Sequence, residues 1–291
     1  YRTRLDPRQN RHRNFWRTSV SHSICFIGAG NMASSLIGGL LANGHEAATI
    51  TACDINSEQL AQLQQRFGIN TSSDNLASAQ TADVVMLAIK PQLMREVCNA
   101  LSSLPSNPQQ LFVSVAAGVP ADAIERWLGG ERSIVRCMPN TPALLQLGAS
   151  GLAANPRVND RQRELAEQIM QAVGISIWVE QESDLDAVTA ISGSGPAYFF
   201  YFIELLETAG VELGLPRETA ARLARQTALG AATMAQGQDV VELRNQVTSK
   251  KGTTEQAILS FQRDRLDQLV LNATTAARRR SLELAHELAG E

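Results

Sequence analysis

Three short segments of this chain carry residue types from which a ligand site can be built. The first is Gly28-Ala29-Gly30-Asn31-Met32, which follows the apolar run Ser23 to Ile27 and leads into Met32 to Ala42, a stretch of helical character. Gly28-x-Gly30-x-x-Ala33 is the dinucleotide fingerprint in its Gly/Ala form. Gly28 permits a tight turn, Gly30 lets a pyrophosphate approach the backbone, and Ala33 allows close helix–sheet packing, with phosphate at the helix N-terminus. The other reading is a plain structural turn. Asp54, at the end of the next apolar run, adds a second feature of the same kind. A carboxylate there binds adenosine ribose hydroxyls, which by itself favours NAD over NADP; no arginine adjoins it, and Asn56 and Ser57 are its neutral neighbours. A solvated aspartate at a strand end is the alternative.

The second segment is Ser192-Gly193-Ser194-Gly195-Pro196-Ala197-Tyr198, a tight turn that opens an apolar helix. The third, Val247-Thr248-Ser249-Lys250-Lys251-Gly252-Thr253-Thr254, gathers hydroxyls and a glycine where a helix begins, so it offers N–H groups and hydroxyls to a small carboxylate. Simple N-capping by Ser or Thr is the other reading. Two further strand ends, Ala88-Ile89-Lys90-Pro91 and Met138-Pro139-Asn140-Thr141-Pro142, fall where open α/β sheets bind ligands. Lys90 there could sit over a cofactor and Asn140 could serve a carboxamide, or each segment could be a structural turn. The chain has only three lysines, Lys90, Lys250 and Lys251, so none lies on the helix after Gly195, where two-domain dehydrogenases of hydroxy acids place a proton-transfer lysine. Alcohol oxidation is thereby disfavoured. His12, His22, His45 and His286 lie outside every motif.

The elements that must position these residues fall into two kinds. Short apolar runs, 23–27, 47–53, 84–89, 111–115 and 133–137, alternate with helix-length mixed stretches, the signature of a parallel sheet covered on both faces. Segments 148–154 and 176–180, with a helix near 160–173, could extend that sheet. From Ser183 onward no strand-like run follows, and the sequence reads as helices at 184–191, 196–213, 216–235, 239–247, 254–261 and 266–288. Pro196 and Pro216 suit a first helical position, and Asp239-Val240-Val241-Glu242 fits a capping box. The run Tyr198-Phe199-Phe200-Tyr201-Phe202-Ile203 is apolar all round its helix, which predicts a homo-oligomer. The expected organisation is a disordered or non-native extension at 1–22, a dinucleotide-binding domain at 23–182 and a helical domain at 183–291.

Composition narrows the function classes. At 291 residues with 44% hydrophobic and 19% charged residues, the chain can bury two domain cores. A formal charge of -3 gives no electrostatic case for nucleic acid or an acidic membrane, and no apolar run is long enough to span a bilayer. Cys25, Cys53, Cys98 and Cys137 show no CxxC spacing, so buried free thiols in a cytoplasmic protein are expected, with no metal site. Six arginines crowd residues 1–17 beside a single acid, which fits either an extension or an Arg-rich targeting peptide.

Taken jointly, Phe26 to Met32, Ala88 to Pro91, Arg136 to Pro142, Asp186 to Tyr198, and Val247 to Ser249 with Gly252 to Thr254 closely resemble the pyrroline-5-carboxylate reductases. The likeness runs from about Ser23 to the C-terminus. It implies a Rossmann-type doubly wound parallel sheet followed by an all-α dimerisation domain, assembled as a homodimer or a higher ring of dimers. The implied reaction is reduction of 1-pyrroline-5-carboxylate to L-proline by NADPH, with NADH as the other donor, the last step of proline biosynthesis. Carried over by position, the cofactor falls on Ile27, Gly28, Ala29, Gly30, Asn31, Met32, Asp54, Asn75, Ala88, Ile89, Lys90, Pro91, Val115, Ala116 and Ala117. The substrate carboxylate falls on Ser249, Gly252, Thr253 and Thr254, with Ser249 and Thr254 as the catalytic hydroxyls and Thr254 beside the ring nitrogen. The resemblance breaks at Lys250 and Lys251, where the family usually has Pro followed by Gly or Asn. Lysine tolerates positive φ poorly, and these two either add charge near the substrate carboxylate or are solvated surface groups. A nucleotide-binding protein with impaired turnover and a reductase of a related cyclic imine are the alternative functions.

Overall fold

The computed structural model describes residues 22–289, so the reading of 1–22 as an extension lies, His22 apart, outside the described residues. The first part of the chain runs β1 (Ile24–Ile27), α1 (Asn31–Ala42), β2 (Ile50–Cys53), α2 (Ser57–Phe67), β3 (Asn70–Ser72), α3 (Asn75–Gln80), β4 (Val84–Leu87) and α4 (Met94–Ala100). It continues through β5 (Leu111–Ser114), α5 (Ala121–Trp127), β6 (Ser133–Met138), β7 (Gly148–Ala154), α6 (Asp160–Gln171), β8 (Gly174–Trp178) and α7 (Leu185–Val188). Every residue of β1, β4 and β5 is buried, as a strand covered on both faces requires. Alternate side chains go to separate cores: Ile24 and Phe26 pack with Leu36, Ile37 and Leu40 of α1, while Cys25 and Ile27 pack with Met94 and Cys98 of α4 and Ile124 of α5.

The eight strands form one sheet in the order β3-β2-β1-β4-β5-β6-β7-β8. All neighbours are parallel except β6 and β7, which pair antiparallel from Val135↔Ala154 to Met138↔Gly151. The reversal follows from the connection, a 3₁₀ turn at Thr141–Leu145 that is too short for the crossover a parallel partner needs. Segment 148–154 extends the sheet as the inverted β7, and the strand expected at 176–180 is β8 at Gly174–Trp178, two residues earlier. Two elements have no counterpart in the sequence reading. β3 is a polar edge strand of three residues with no apolar run to reveal it, and α3 is too short to show a period. The strand order reverses direction between β1 and β4, which places a crevice at their carboxyl ends.

The expected helix 184–191 is realised as α7 followed by a π-helical turn at Thr189–Gly193, in which the Ser192 hydroxyl donates to the Val188 carbonyl at 3.1 Å. The glycine segment is thus wound, not a loop. After it come α8 (Gly195–Glu212), α9 (Arg217–Met234), α10 (Val240–Gln246), α11 (Thr253–Arg263) and α12 (Leu266–Ala289). Pro196 falls one position inside α8, and Pro216 is the N-cap of α9 and not its first residue. Asp239 caps α10 by accepting N–H from Val241 and Glu242, without the return bond from Glu242 that a full capping box has.

The chain separates into two compact units, Tyr1–Gly193 with Arg278–Glu291, and Ser194–Ala277. The first keeps the π-turn because it docks on the sheet: a Cβ at Gly193 would lie 2.6 Å from Met138 Cε. The end of α12 belongs with the sheet too, where the Ser281 hydroxyl donates to Asp186 at 2.6 Å and Leu288 packs on the core beneath β5.

Candidate active site

At the carboxyl edge of the sheet, three backbone bonds carry the ladder past the strand ends. Gly28 N–H donates to Cys53 O at 2.8 Å, Ala88 N–H to Ile27 O at 2.8 Å, and Val115 N–H to Leu87 O at 3.2 Å. They fix the loops after β1, β2, β4 and β5 side by side. Ile27 to Met32, Asp54, Ala88 to Pro91 and Val115 to Ala117 therefore share one edge, with Asn75 half-buried at the first position of α3, whose N-cap is Asp74. Lys90 is exposed there and caps the 3₁₀ turn that begins at Pro91.

Gly28 and Gly30 do different work. Gly28 has φ +101, and a Cβ there would run into the Ala88 carbonyl and lie 2.9 Å from Ile89 Cγ2, so only glycine lets β1 and β4 end this close together. Gly30 has φ -75, which any residue adopts, yet a Cβ there would meet nothing within 4 Å. The space in front of Gly30 is open, and it faces the start of α1. Gly30 gives α1 no side-chain cap and its first turn carries no acid, so the first N–H groups keep their partial positive charge for an anion. That is the environment a pyrophosphate requires, and the residues present fit a dinucleotide.

Asp54 is fastened in place rather than simply solvated. Its Oδ2 accepts the Ala29 N–H at 2.8 Å and its Oδ1 the Asn56 N–H at 2.9 Å, so the carboxylate ties the glycine loop to the end of β2. The Asn56 side-chain Oδ1 accepts the N–H groups of Glu58 and Gln59 and caps the start of α2. Asn140, expected to offer its amide to a ligand, is engaged within the protein: Nδ2 donates to Ser192 O at 3.0 Å and Oδ1 accepts the Ala149 N–H at 2.9 Å. These two bonds hold the π-turn against β7, which is what the structural reading of that segment expects of Asn140.

The hydroxyl-rich segment belongs to the helical unit. The Thr248 hydroxyl donates to Arg244 O at 2.6 Å, and Gly252 N–H donates to Ser249 O at 2.9 Å, which closes a turn over 249–252. A Cβ at Gly252 would collide with the Ser249 hydroxyl and lie 2.9 Å from its carbonyl oxygen, so the glycine permits the closeness of these two residues. Gly252 is the N-cap of α11 and supplies no side-chain cap, and neither Ser249 nor a threonine takes that role. Plain N-capping is thus not what the hydroxyls do. Ser249, Gly252, Thr253 and Thr254 lie together around the first turn of α11, whose early N–H groups lack helical acceptors. Lys251 adopts φ +63, and its N–H donates to Glu255 Oε2 at 2.7 Å. Sequence reasoning missed Glu255, although an acid three residues past a glycine N-cap is a readable signal.

All four cysteines are free and buried. Burial pushes the Cys98 thiol up to about 12 and the Cys137 thiol higher still, while the hydrogen bond that Cys25 shares with its neighbour Cys53 and then burial push Cys25 up. These three thiols are neutral and unreactive at ordinary pH, whereas the same hydrogen bond to Cys25 lowers the Cys53 thiol to about 7. Among the described residues no three His, Cys, Asp or Glu side chains group as a metal site, and no helix is long and apolar enough to cross a membrane.

Residues 182–284 match the family model for pyrroline-5-carboxylate reductase dimerisation, and residues 23–118 match that for NADP oxidoreductase, coenzyme F420-dependent. The chain is 54% identical over 267 residues to the pyrroline-5-carboxylate reductase of Pseudomonas aeruginosa, covering 91% of this chain and 97% of that protein. The structure of a pyrroline-5-carboxylate reductase from Coxiella burnetii superposes with a TM-score of 0.88 at 45% identity, covering 91% of this chain and 99% of the other. The Plasmodium falciparum pyrroline carboxylate reductase with NADP bound superposes with a TM-score of 0.78 at 31% identity, covering 91% and 98%. With its sheet edge and its hydroxyl-rich turn built as described, the chain belongs to the pyrroline-5-carboxylate reductase family.

Proposed function

We propose that this chain reduces 1-pyrroline-5-carboxylate to L-proline, with NADPH as hydride donor and NADH also accepted. The observation that carries the reading is 54% identity to a reductase of that name across nearly the whole of both chains, both ligand-type segments included. A cyclic imine carbon accepts hydride readily once its nitrogen is protonated, and the reduced nicotinamide supplies that hydride when bound. What remains for the protein is positioning and charge stabilisation.

In this reading, the open face of Gly30 and the first amides of α1 hold the pyrophosphate. Ile27 to Met32, Asn75, Ala88 to Pro91 and Val115 to Ala117 line the rest of the dinucleotide. Asp54 keeps oxygen lone pairs for the ribose, and two backbone N–H bonds offset part of its charge, which supports tolerance of a 2′-phosphate. Ser249 and the amides of Gly252, Thr253 and Thr254 bind the substrate carboxylate. The Thr254 hydroxyl oxygen accepts from the protonated ring nitrogen and stabilises its charge in the transition state. Lys250 and Lys251, both exposed, add positive charge beside that carboxylate.

The same reading makes the molecule a homodimer, or a ring of dimers, through the helical unit. Its support is the match to the dimerisation model and the exposure of Phe199 (71%), Phe200 (66%) and Tyr201 (61%) on α8. Four free thiols support the cytoplasm. The domain roles follow: 23–182 binds the dinucleotide and 183–291 binds substrate and partner. The test is a spectrophotometric assay with NADPH or NADH and either pyrroline-5-carboxylate or its six-membered homologue. Oxidation on addition of the five-membered imine is expected; binding of cofactor without turnover, or a preference for the larger ring, overturns the proposal.

A further inference from the structure

Resting on the reading above, we propose that Glu255 is a positioning residue for the substrate carboxylate: it holds the 249–252 turn in its binding shape by accepting the Lys251 N–H. Three observations converge on it. Lys251 sits at φ +63, a region that non-glycine residues avoid and keep only where their surroundings impose it. The group that imposes it is the Glu255 carboxylate, whose Oε2 is 2.7 Å from the Lys251 nitrogen, a charge-assisted bond. Glu255 is the third residue of α11, so it reaches back over the first turn as a capping-box acid does, but one residue further, to the position before the N-cap.

The geometry has a consequence for the groups around it. Gly252 offers no side chain to cap α11, and Glu255 satisfies the donor that precedes the helix, not those within it. The amides of Thr253 and Thr254 are thereby left for an external carboxylate, while the turn that presents them is locked by Gly252 N–H to Ser249 O at 2.9 Å and Lys251 N–H to Glu255. Without Glu255, Lys251 relaxes toward negative φ, the turn opens, and the Ser249 hydroxyl leaves the first amides of α11. An acid in a helical first turn also favours the helix dipole. That simpler role acts through charge and stability alone, and it requires no particular partner for the carboxylate.

The test is steady-state kinetics of Glu255→Ala, Glu255→Gln, Lys251→Gly and the double variant Lys251→Gly/Glu255→Ala, beside the wild type. Expected for Glu255→Ala is a rise of about tenfold in KM for the imino acid, with kcat changed less than about threefold and KM for NADPH unchanged. Glu255→Gln, which loses the charge but keeps an acceptor oxygen, should stay within about threefold of wild type. Lys251→Gly removes the φ conflict, so adding Glu255→Ala to it should raise KM by no more than about threefold. Hydrogen exchange over 248–256 should quicken in Glu255→Ala and not in Glu255→Gln. The proposal is overturned by an unchanged imino-acid KM in Glu255→Ala, by Gln behaving as Ala, or by equal effects of Glu255→Ala in both Lys251 backgrounds. A wild type that binds cofactor but does not turn over pyrroline-5-carboxylate defeats instead the functional reading, and the exchange data then still decide whether Glu255 locks the turn.

Discussion

Replacing each glycine of the first loop by alanine separates architecture from ligand binding. At Gly30 the backbone is already in a region open to alanine and the added methyl meets no protein atom, so the cost to the apo protein is the difference between Gly and Ala as an N-cap, about 0.5 kcal/mol. For a unit of this size that lowers Tm by about 1–2 °C. The same methyl occupies the space the pyrophosphate would enter. Displacing it loosens two N–H bonds to charged oxygens, each worth roughly 1.5–3 kcal/mol, and even the lower figure for both gives about 3 kcal/mol, or more than 100-fold in Kd. At Gly28 the balance inverts. A non-glycine residue at φ +101 costs about 1–3 kcal/mol, and the overlap with the Ala88 carbonyl is with backbone and cannot be relieved by a rotamer, so the total is about 3 kcal/mol and Tm falls by about 6–12 °C. The measurements are thermal melting without ligand and NADPH titration by fluorescence. A Gly30→Ala protein that binds NADPH as the wild type does, or that melts as low as Gly28→Ala, refutes the placement of phosphate at α1.

Asp54→Asn keeps an oxygen for the Ala29 N–H and removes the charge, so the NADPH to NADH ratio of kcat/KM should rise about tenfold, from roughly 1.4 kcal/mol of relieved repulsion; an unchanged ratio removes Asp54 from the ribose site. Thr254→Ala should lower kcat by roughly 10–100-fold, with Thr254→Ser recovering most of it and dinucleotide Kd unmoved in both; a kcat equal to wild type in Thr254→Ala ends its role at the ring nitrogen. Burial holds the folded Cys98 thiol protonated up to about 12, whereas the unfolded thiol ionises near its ordinary 9.0. The unfolded state therefore binds fewer protons between these values, and this thiol's contribution to stability is full below pH 9 and lost as pH rises toward 12. Denaturant titrations should show wild-type stability falling faster over that window than Cys98→Ala, by up to about 1.4 kcal/mol per pH unit; parallel slopes contradict it.

The sheet was legible because its strands are buried on both faces, so each appears as an unbroken apolar run, and the period needs no deciphering. Where that condition fails the sequence is silent. β3 lies at the sheet edge with polar residues Asn70, Thr71 and Ser72, and α3 follows with too few residues to show a face. The π-turn at Thr189–Gly193 was invisible for a different reason. The sequence reads as a helix up to Ile191 and a tight turn from Ser192, and what winds Ser192 and Gly193 on is tertiary: Met138 fills the place of a Gly193 side chain and Asn140 holds the Ser192 carbonyl.

The site divides along the same line between local and non-local causes. The glycine fingerprint could be read residue by residue because its demands are steric and nearly self-contained; even so, the sequence could say only that Gly28 turns the chain, not that the Ala88 carbonyl is what forbids a side chain. Asn140 shows the opposite failure. An amide at a strand end has the right chemistry for a ligand, and only the structure reveals that it donates to Ser192 and accepts from Ala149 within the protein. Glu255 completes the pattern. Lys250 and Lys251 stood out as misfits because a lysine resists positive φ, but the misfit was judged against the turn alone. The compensating carboxylate sits one helical turn later, and once that bond is included Lys251 is not a defect in the turn but half of the pair that fixes it. A residue that breaks a local rule is therefore a reason to search the next turn of the chain for its partner before doubting the site it belongs to.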